Sequence, residues 1–233
     1  MDNELCIIVP ARSGSKGIVD KNINDLCGKS LLYRALESAT KISDIKNICL
    51  STDSEKYFKH ISKQYSPVFL KRDLKLSGDK SLALDVWKDA IIYMNNNNNN
   101  IFEYSLFFEP TSPIRNIDWI KEIINQFKLS NDDLWMSIKE TDSKYRIEKQ
   151  FIINKKGQIK NLFSNSDKYS LRQNSTKTYH KDGVFYLAKS QYILSATNLL
   201  EGVIKGIVNK YKSVNIDTYE DLQYARYLLN NLN

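Results

Sequence analysis

Five apolar residues, Leu5 to Val9, run up to Pro10, and the chain then opens into a stretch, 11–22, rich in Gly, Ser and Lys. A short continuous apolar run reads as a strand buried on both faces, as in parallel sheets, and the polar stretch after it reads as a loop. Open parallel α/β sheets bind their ligands at such carboxyl-end loops. This one feature constrains both the fold and the place to look for a site.

The rest of the chain keeps the rhythm. Helical spacing predicts helices over 30–41, 54–64, 81–94, 117–127 and 218–229, with Thr52 and Glu55 as a capping box for the second. Between them lie apolar runs predicted as strands over 47–50, 68–70, 104–108, 134–137, 184–187 and 213–217. Such alternation means a Rossmann-like α/β fold, a mostly parallel sheet between helices, within one domain over 1–233. Over 139–181 the rhythm gives way to Lys- and Ser-rich sequence with β-like pieces at 151–153 and 159–163, read as an inserted flap or dimerisation arm. The six asparagines 95–100 read as a floppy connector.

Bulk properties narrow the function. The net charge of +7 favours anionic partners, whether nucleic acid, an acidic membrane surface or phosphorylated small molecules. No stretch reaches the roughly 18 apolar residues of a membrane span, and the N-terminus is acidic, so the expectation is a cytoplasmic protein without a membrane partner. Cys6, Cys27 and Cys49 lie far apart without metal spacing and read as small buried or half-buried thiols.

The loop after the first strand carries glycines at 14 and 17, a hydroxyl at Ser15, and cations at Arg12, Lys16 and Lys21. Glycine brings backbone N–H groups close to phosphate oxygens, Arg offers a planar fork and Lys a point charge. Neither a Walker loop nor a dinucleotide fingerprint fits: Gly28-Lys29-Ser30 has Ile23 where the first needs glycine, and the Gly-x-Gly-x-x-Gly spacing is missing. On composition alone, a solvated turn whose lysines serve solubility fits as well.

Four segments decide between these readings: Ile8-Val-Pro-Ala-Arg-Ser-Gly-Ser-Lys-Gly17, Leu50-Ser-Thr-Asp-Ser54, Glu109-Pro-Thr-Ser-Pro-Ile-Arg115 and Asn215-Ile-Asp-Thr-Tyr-Glu-Asp-Leu222. In order and spacing they resemble the acylneuraminate cytidylyltransferases, the CMP-sialic acid synthetases. The resemblance implies CTP and a 2-keto sugar acid as partners, Mg2+ as cofactor, no nucleic acid, and a homodimer formed through the flap. It further implies nucleotide binding by Ala11, Arg12, Ser15, Lys16, Lys21, Asn22 and Arg72, and a catalytic set of Arg12, Lys21 and Asp217. On the sugar side it points to Glu109, Thr111, Ser112, Arg146, Arg172, Asp182 and Tyr186, with the arginines as carboxylate partners.

For the metal it points to Asp217 and Asn215, whose alternation along an extended segment turns both to one side. Family members usually carry Asp at both positions, and helix capping ahead of Thr218-x-x-Asp221 is the competing role for Asp217. Relatives also usually carry Gln at the place of Glu109, and Arg and Asn where His180 and Asp182 stand, which implies an unusual nonulosonic acid, modified or amino-bearing. A Kdo cytidylyltransferase is the nearest enzymatic alternative, although its Gln-Gly-Asp-Glu-Pro stretch is replaced here by Phe107-Phe-Glu-Pro-Thr-Ser-Pro113. A non-catalytic nucleotide-binding homologue is the other.

Overall fold

In the computed structural model, which describes residues 4–14, 17–163 and 177–231, the first apolar run is strand β1 (Leu5–Pro10), near the centre of a seven-stranded sheet. A small hairpin, β2 (Asp25–Leu26) with β3 (Lys29–Ser30), follows the glycine-containing loop. The sheet is completed by β4 (Ile48–Thr52), β5 (Val68–Lys71), β6 (Tyr104–Phe107), β7 (Leu134–Glu140), β10 (Tyr179–Lys189) and β11 (Ile204–Val208), while β8 (Phe151–Ile153) and β9 (Ile159–Asn161) form a separate hairpin. Its order is β11-β7-β10-β6-β1-β4-β5. β1 runs parallel to β4 and β6, and β4 to β5, whereas β10 is antiparallel to β6.

The helices are α1 (Leu31–Thr40), α2 (Glu55–Ile61), α3 (Ala83–Asn98), α4 (Ile117–Lys128), α5 (Ser190–Ser195) and α6 (Tyr219–Asn230). α4 shows why they form. Asn116 accepts from the Trp119 backbone N–H at 2.9 Å, and Ile120, Ile123, Ile124 and Phe127 then line one face at helical spacing and enter the core. That core joins the buried residues of β1, β4 and β6 to α1 and α4. A second, smaller cluster of Ile18, Leu26, Leu31, Ile216, Leu222 and Ala225 packs α6 beneath the glycine-containing loop.

Several expectations are corrected. The helix start at 54 uses Ser54, which accepts from the Tyr57 N–H, rather than Thr52, which is the buried last residue of β4 and accepts from the Ser54 N–H. The asparagine run is mostly helix: α3 continues to Asn98 and ends on Asn99 at φ 47, a left-handed conformation that Asn tolerates better than most residues. Side chains fix it there, since Asn95 accepts from the Phe102 N–H and Asn98 donates to the Lys46 carbonyl, each at 3.1 Å. Residues 213–217 form no strand; the extended segment is tied at Ile216, whose N–H bonds to the Thr111 carbonyl at 2.8 Å. Cys6 and Cys49 are buried and burial pushes the Cys6 thiol up to about 12, but Cys27 is exposed.

The chain divides into two compact units, Met1–Ser137 with Asp182–Asn233, and Ile138–Lys181. No helix among the described residues is long and apolar enough to cross a membrane.

Candidate active site

The chain leaves β1 for β4 and β5 on one side and returns to β6 on the other, so the strand order reverses at β1. Crevices open outside the carboxyl ends of strands at such a reversal. A cleft of about 470 Å³ lies there, lined by Pro10 at the end of β1, Arg72 just past β5, and Phe107 and Glu109 at the end of β6.

The loop after β1 is held from below. Asp53 accepts from the Ser13 N–H at 2.8 Å and from its hydroxyl at 2.6 Å, and the Asn22 amide donates to the Arg12 carbonyl at 3.1 Å. Ala11 is fully buried, its N–H bonds to the Ser51 carbonyl at 2.9 Å, and it does not line the cleft. Gly17 is required for space, not for a left-handed backbone: a Cβ there would run into the Asp217 carbonyl oxygen, while the described positive-φ glycines are Gly28, Gly157 and Gly183. Ser15 and Lys16 lie outside the described residues.

Lys21, Arg12, Asn22, Arg72 and Asp217 all line the cleft. Lys21 is buried, and its ammonium donates to the Ile216 carbonyl at 2.6 Å and to the Asp217 carboxylate at 2.8 Å. Ile216 is fully buried in the lower cluster, which stabilises by about 1.5–3 kcal/mol and anchors its neighbour Asp217 at the cleft edge. Asp217 does not cap α6; Thr218 does, in a capping box with Asp221. The Arg12 guanidinium pairs with Asp79 at 2.9 Å. Arg72 is enclosed, donating to the Ser51 hydroxyl and carbonyl, and burial pushes its pKa down to about 10, so it stays charged at neutral pH.

Among the described residues no cluster of three His, Cys, Asp or Glu side chains exists. Asn215 does not line the cleft, and its amide nitrogen stands 3.4 Å from where a Gly183 Cβ would lie. Of the two expected ligands, Asp217 is the one that lines the cleft, where its carboxylate accepts from Lys21 and where Asp79 and Glu109 are the other acids. That donor set fits Mg2+, a hard cation that keeps its waters and takes one or two carboxylates together with substrate phosphates.

On the other wall Glu109 and Thr111 line the cleft, but Ser112, Asp182 and Tyr186 are not part of its lining. Ser112 is fully buried and donates to the Asp182 carbonyl at 2.9 Å. The Asp182 carboxylate, 5% exposed, accepts from the Ser137 hydroxyl at 2.5 Å, the Val184 N–H at 3.2 Å and the Asn209 amide at 2.7 Å. Tyr186 sits edge-on to Phe107, and burial holds its phenol un-ionised far above the ordinary value. Arg146, in the Ile138–Lys181 unit, pairs with Glu140 of that unit at 3.4 Å. Arg172 lies outside the described residues.

Sequence reasoning assigned no role to Asp53, Asp79 or Arg115. Asp53 and Arg115 stood inside motifs quoted for the resemblance, which was the available signal; their work is done largely on backbone atoms and leaves no pattern of spacing.

A mostly parallel sheet flanked by helices, with Arg12, Lys21, Arg72 and Asp217 lining a cleft at its carboxyl ends, is the architecture of the nucleotidyltransferases. Solved structures share that fold: a CMP:2-keto-3-deoxy-manno-octonic acid synthetase complexed with CTP superposes with a TM-score of 0.71 at 12% identity, covering 99% of this chain and 100% of that one. HddC from Yersinia pseudotuberculosis complexed with GMP-PN does so with a TM-score of 0.62 at 17% identity, covering 96% and 98%. The chain belongs to the cytidylyltransferase family, whose model matches residues 6–232, and its motifs resemble the acylneuraminate cytidylyltransferases. It is 31% identical to a pseudaminic acid cytidylyltransferase of Campylobacter jejuni, over 96% of this chain and 95% of that protein. An N-acylneuraminate cytidylyltransferase of Escherichia coli is 28% identical over 97% of this chain and 52% of its own length.

Proposed function

We propose that this chain transfers CMP from CTP to the anomeric hydroxyl of a sialic-acid-like nonulosonic acid, with pseudaminic acid the first candidate. The observation that carries the reading is the gathering of Arg12, Lys21, Arg72 and Asp217 around one cleft at the strand-order reversal. Arg12 and Lys21, with Ser15 and Lys16 of the same loop, take the triphosphate; Asn22 faces the ribose and Arg72 the base. Glu109 and Thr111 form the sugar wall, and the Glu109 carboxylate favours a sugar that presents hydroxyl or amino donors.

In the reaction the anomeric oxygen bonds to the α-phosphorus of CTP while the bond from that phosphorus to the bridging oxygen breaks. Pyrophosphate leaves with the electron pair, and the hydroxyl proton passes to water. Positioning and charge neutralisation supply most of the rate, and the buried Lys21 ammonium acts without the reorganisation that water would require. Mg2+, when bound, supplies further neutralisation of phosphate charge, and Asp217 would hold it. The protein acts in the cytoplasm, as a homodimer, with Arg146 and Arg172 contributed from the flap sequence.

The test is pyrophosphate release from CTP and Mg2+ with a panel of pseudaminic, legionaminic, N-acetylneuraminic and Kdo acids, beside a no-sugar blank and an Asp217→Ala variant. Sugar-dependent release, reduced about a hundredfold or more in the variant, is expected. CTP binding without release on any sugar would favour the non-catalytic reading, and release with Kdo alone would favour the octulosonic one.

A further inference from the structure

The turn that carries Glu109 and Thr111 to the cleft is not held by its own backbone alone. Arg115, six residues on, folds back beneath it: Nη2 donates to the Glu109 carbonyl at 2.5 Å, and Nε donates to the Val184 carbonyl of β10 at 2.9 Å. The guanidinium lies over the Phe108 ring, 4.5 Å from its centroid. Its Nη1 is enclosed and has no hydrogen-bond partner among the described residues. Arg115 does not line the cleft.

The same place on β10 is a cradle. Gly183 has φ +70, and a Cβ on it would stand 2.8 Å from Glu109 Oε2 and 2.7 Å from Ser112 Oγ. Glycine there lets the Glu109 side chain lie against the β10 backbone, while the fork of Arg115 fixes the turn and the strand to each other through two carbonyls. One planar group spanning two backbone acceptors is something an ammonium cannot reproduce. Enclosure opposes the charge, pushing the pKa down to about 9, so the guanidinium is still charged at neutral pH.

We propose that Arg115 is a positioning residue for the sugar half of the site, acting through Glu109: it clamps the 109–112 turn to β10 and so sets where the Glu109 carboxylate stands. This rests on the cytidylyltransferase reading, and the two can fail separately. If wild-type protein turns over no sugar, the reading fails; if it does, Arg115 is tested by Arg115→Lys, Glu109→Gln and the double variant, each with KM for sugar, KM for CTP and calorimetric CTP affinity.

Arg115→Lys is expected to raise the sugar KM about tenfold or more while the CTP values move less than about twofold. In the Glu109→Gln background the same change should have most of its effect removed, because residues acting as one unit are not additive. Three results would each overturn the proposal. They are sugar and CTP constants that move in parallel, an Arg115 effect that persists undiminished without the Glu109 carboxylate, and an unchanged sugar KM. Should Arg115→Lys fail to bind CTP at all, Arg115 is a residue of the whole fold and a role confined to the sugar half is likewise overturned.

Discussion

At Gly17 the loop after β1 and the segment that carries Asp217 touch through backbone, and no exchange of charge imitates that. A methyl group there forces the loop or the Asp217 carbonyl to move, and Asp217 stands on a buried Ile216 that resists. Gly17→Ala is therefore expected to weaken CTP binding about tenfold or more. Gly14→Ala, whose Cβ would meet nothing within 4 Å, should leave it within about twofold. Calorimetric titration of the two variants checks this, and equal affinities would mean that the contact is slack. At this scale the sequence was half legible. Arg12, Lys21, Asn22, Arg72, Glu109, Thr111 and Asp217, which the motifs single out, line one cleft. Ser112 and Asp182 were not separable from them in sequence, because a buried hydroxyl or carboxylate with neutral partners reads the same as one that meets a substrate. Lys21 binding Asp217 itself was invisible in a pattern that treated each as a ligand for something else.

Helix α6 carries the acid of the site on its doorstep. Burial works against the charge of Asp221, but N–H donors from Asp217 and Thr218 and the Thr218 hydroxyl outweigh it and hold the carboxyl below its ordinary value. A carboxyl lower in the folded than in the unfolded chain contributes stability above its ordinary range and loses that contribution as pH falls through the folded value. Asp221→Asn is accordingly expected to lower the Tm at pH 7, with the difference closing below roughly pH 4. Thermal melts across pH read it, and a gap that persists in acid would mean the box works without charge. Elements with strong periodicity were readable: α1, α3, α4 and α6 begin close to where spacing and caps put them. β11 was missed because Ile204-Lys-Gly-Ile-Val208 is a half-exposed edge strand with a glycine at its centre. The asparagine run misled because its order comes from side-chain bonds to distant backbone, which composition does not encode.

For the molecule as a whole, the arm's hairpin is the exposed apolar feature that asks for a partner. Phe151, Ile152, Ile153 and Ile159 are each more than half exposed on β8 and β9, and a short ribbon with apolar residues on both faces is a poor surface to leave in water. If a second copy covers it, Ile152→Asp with Ile153→Lys should convert dimer to monomer in sedimentation velocity; an unchanged dimer would put the interface elsewhere, and a monomeric wild type would remove it. The ion pair between Lys21 and Asp217, partners 196 residues apart, bears on something else entirely. Chains leave the ribosome N-terminus first, so Lys21 is made 196 residues before the acid that neutralises it. The segment that shields this lysine is thus made long after it, and until Ile216 and Asp217 arrive the ammonium has water for its partner.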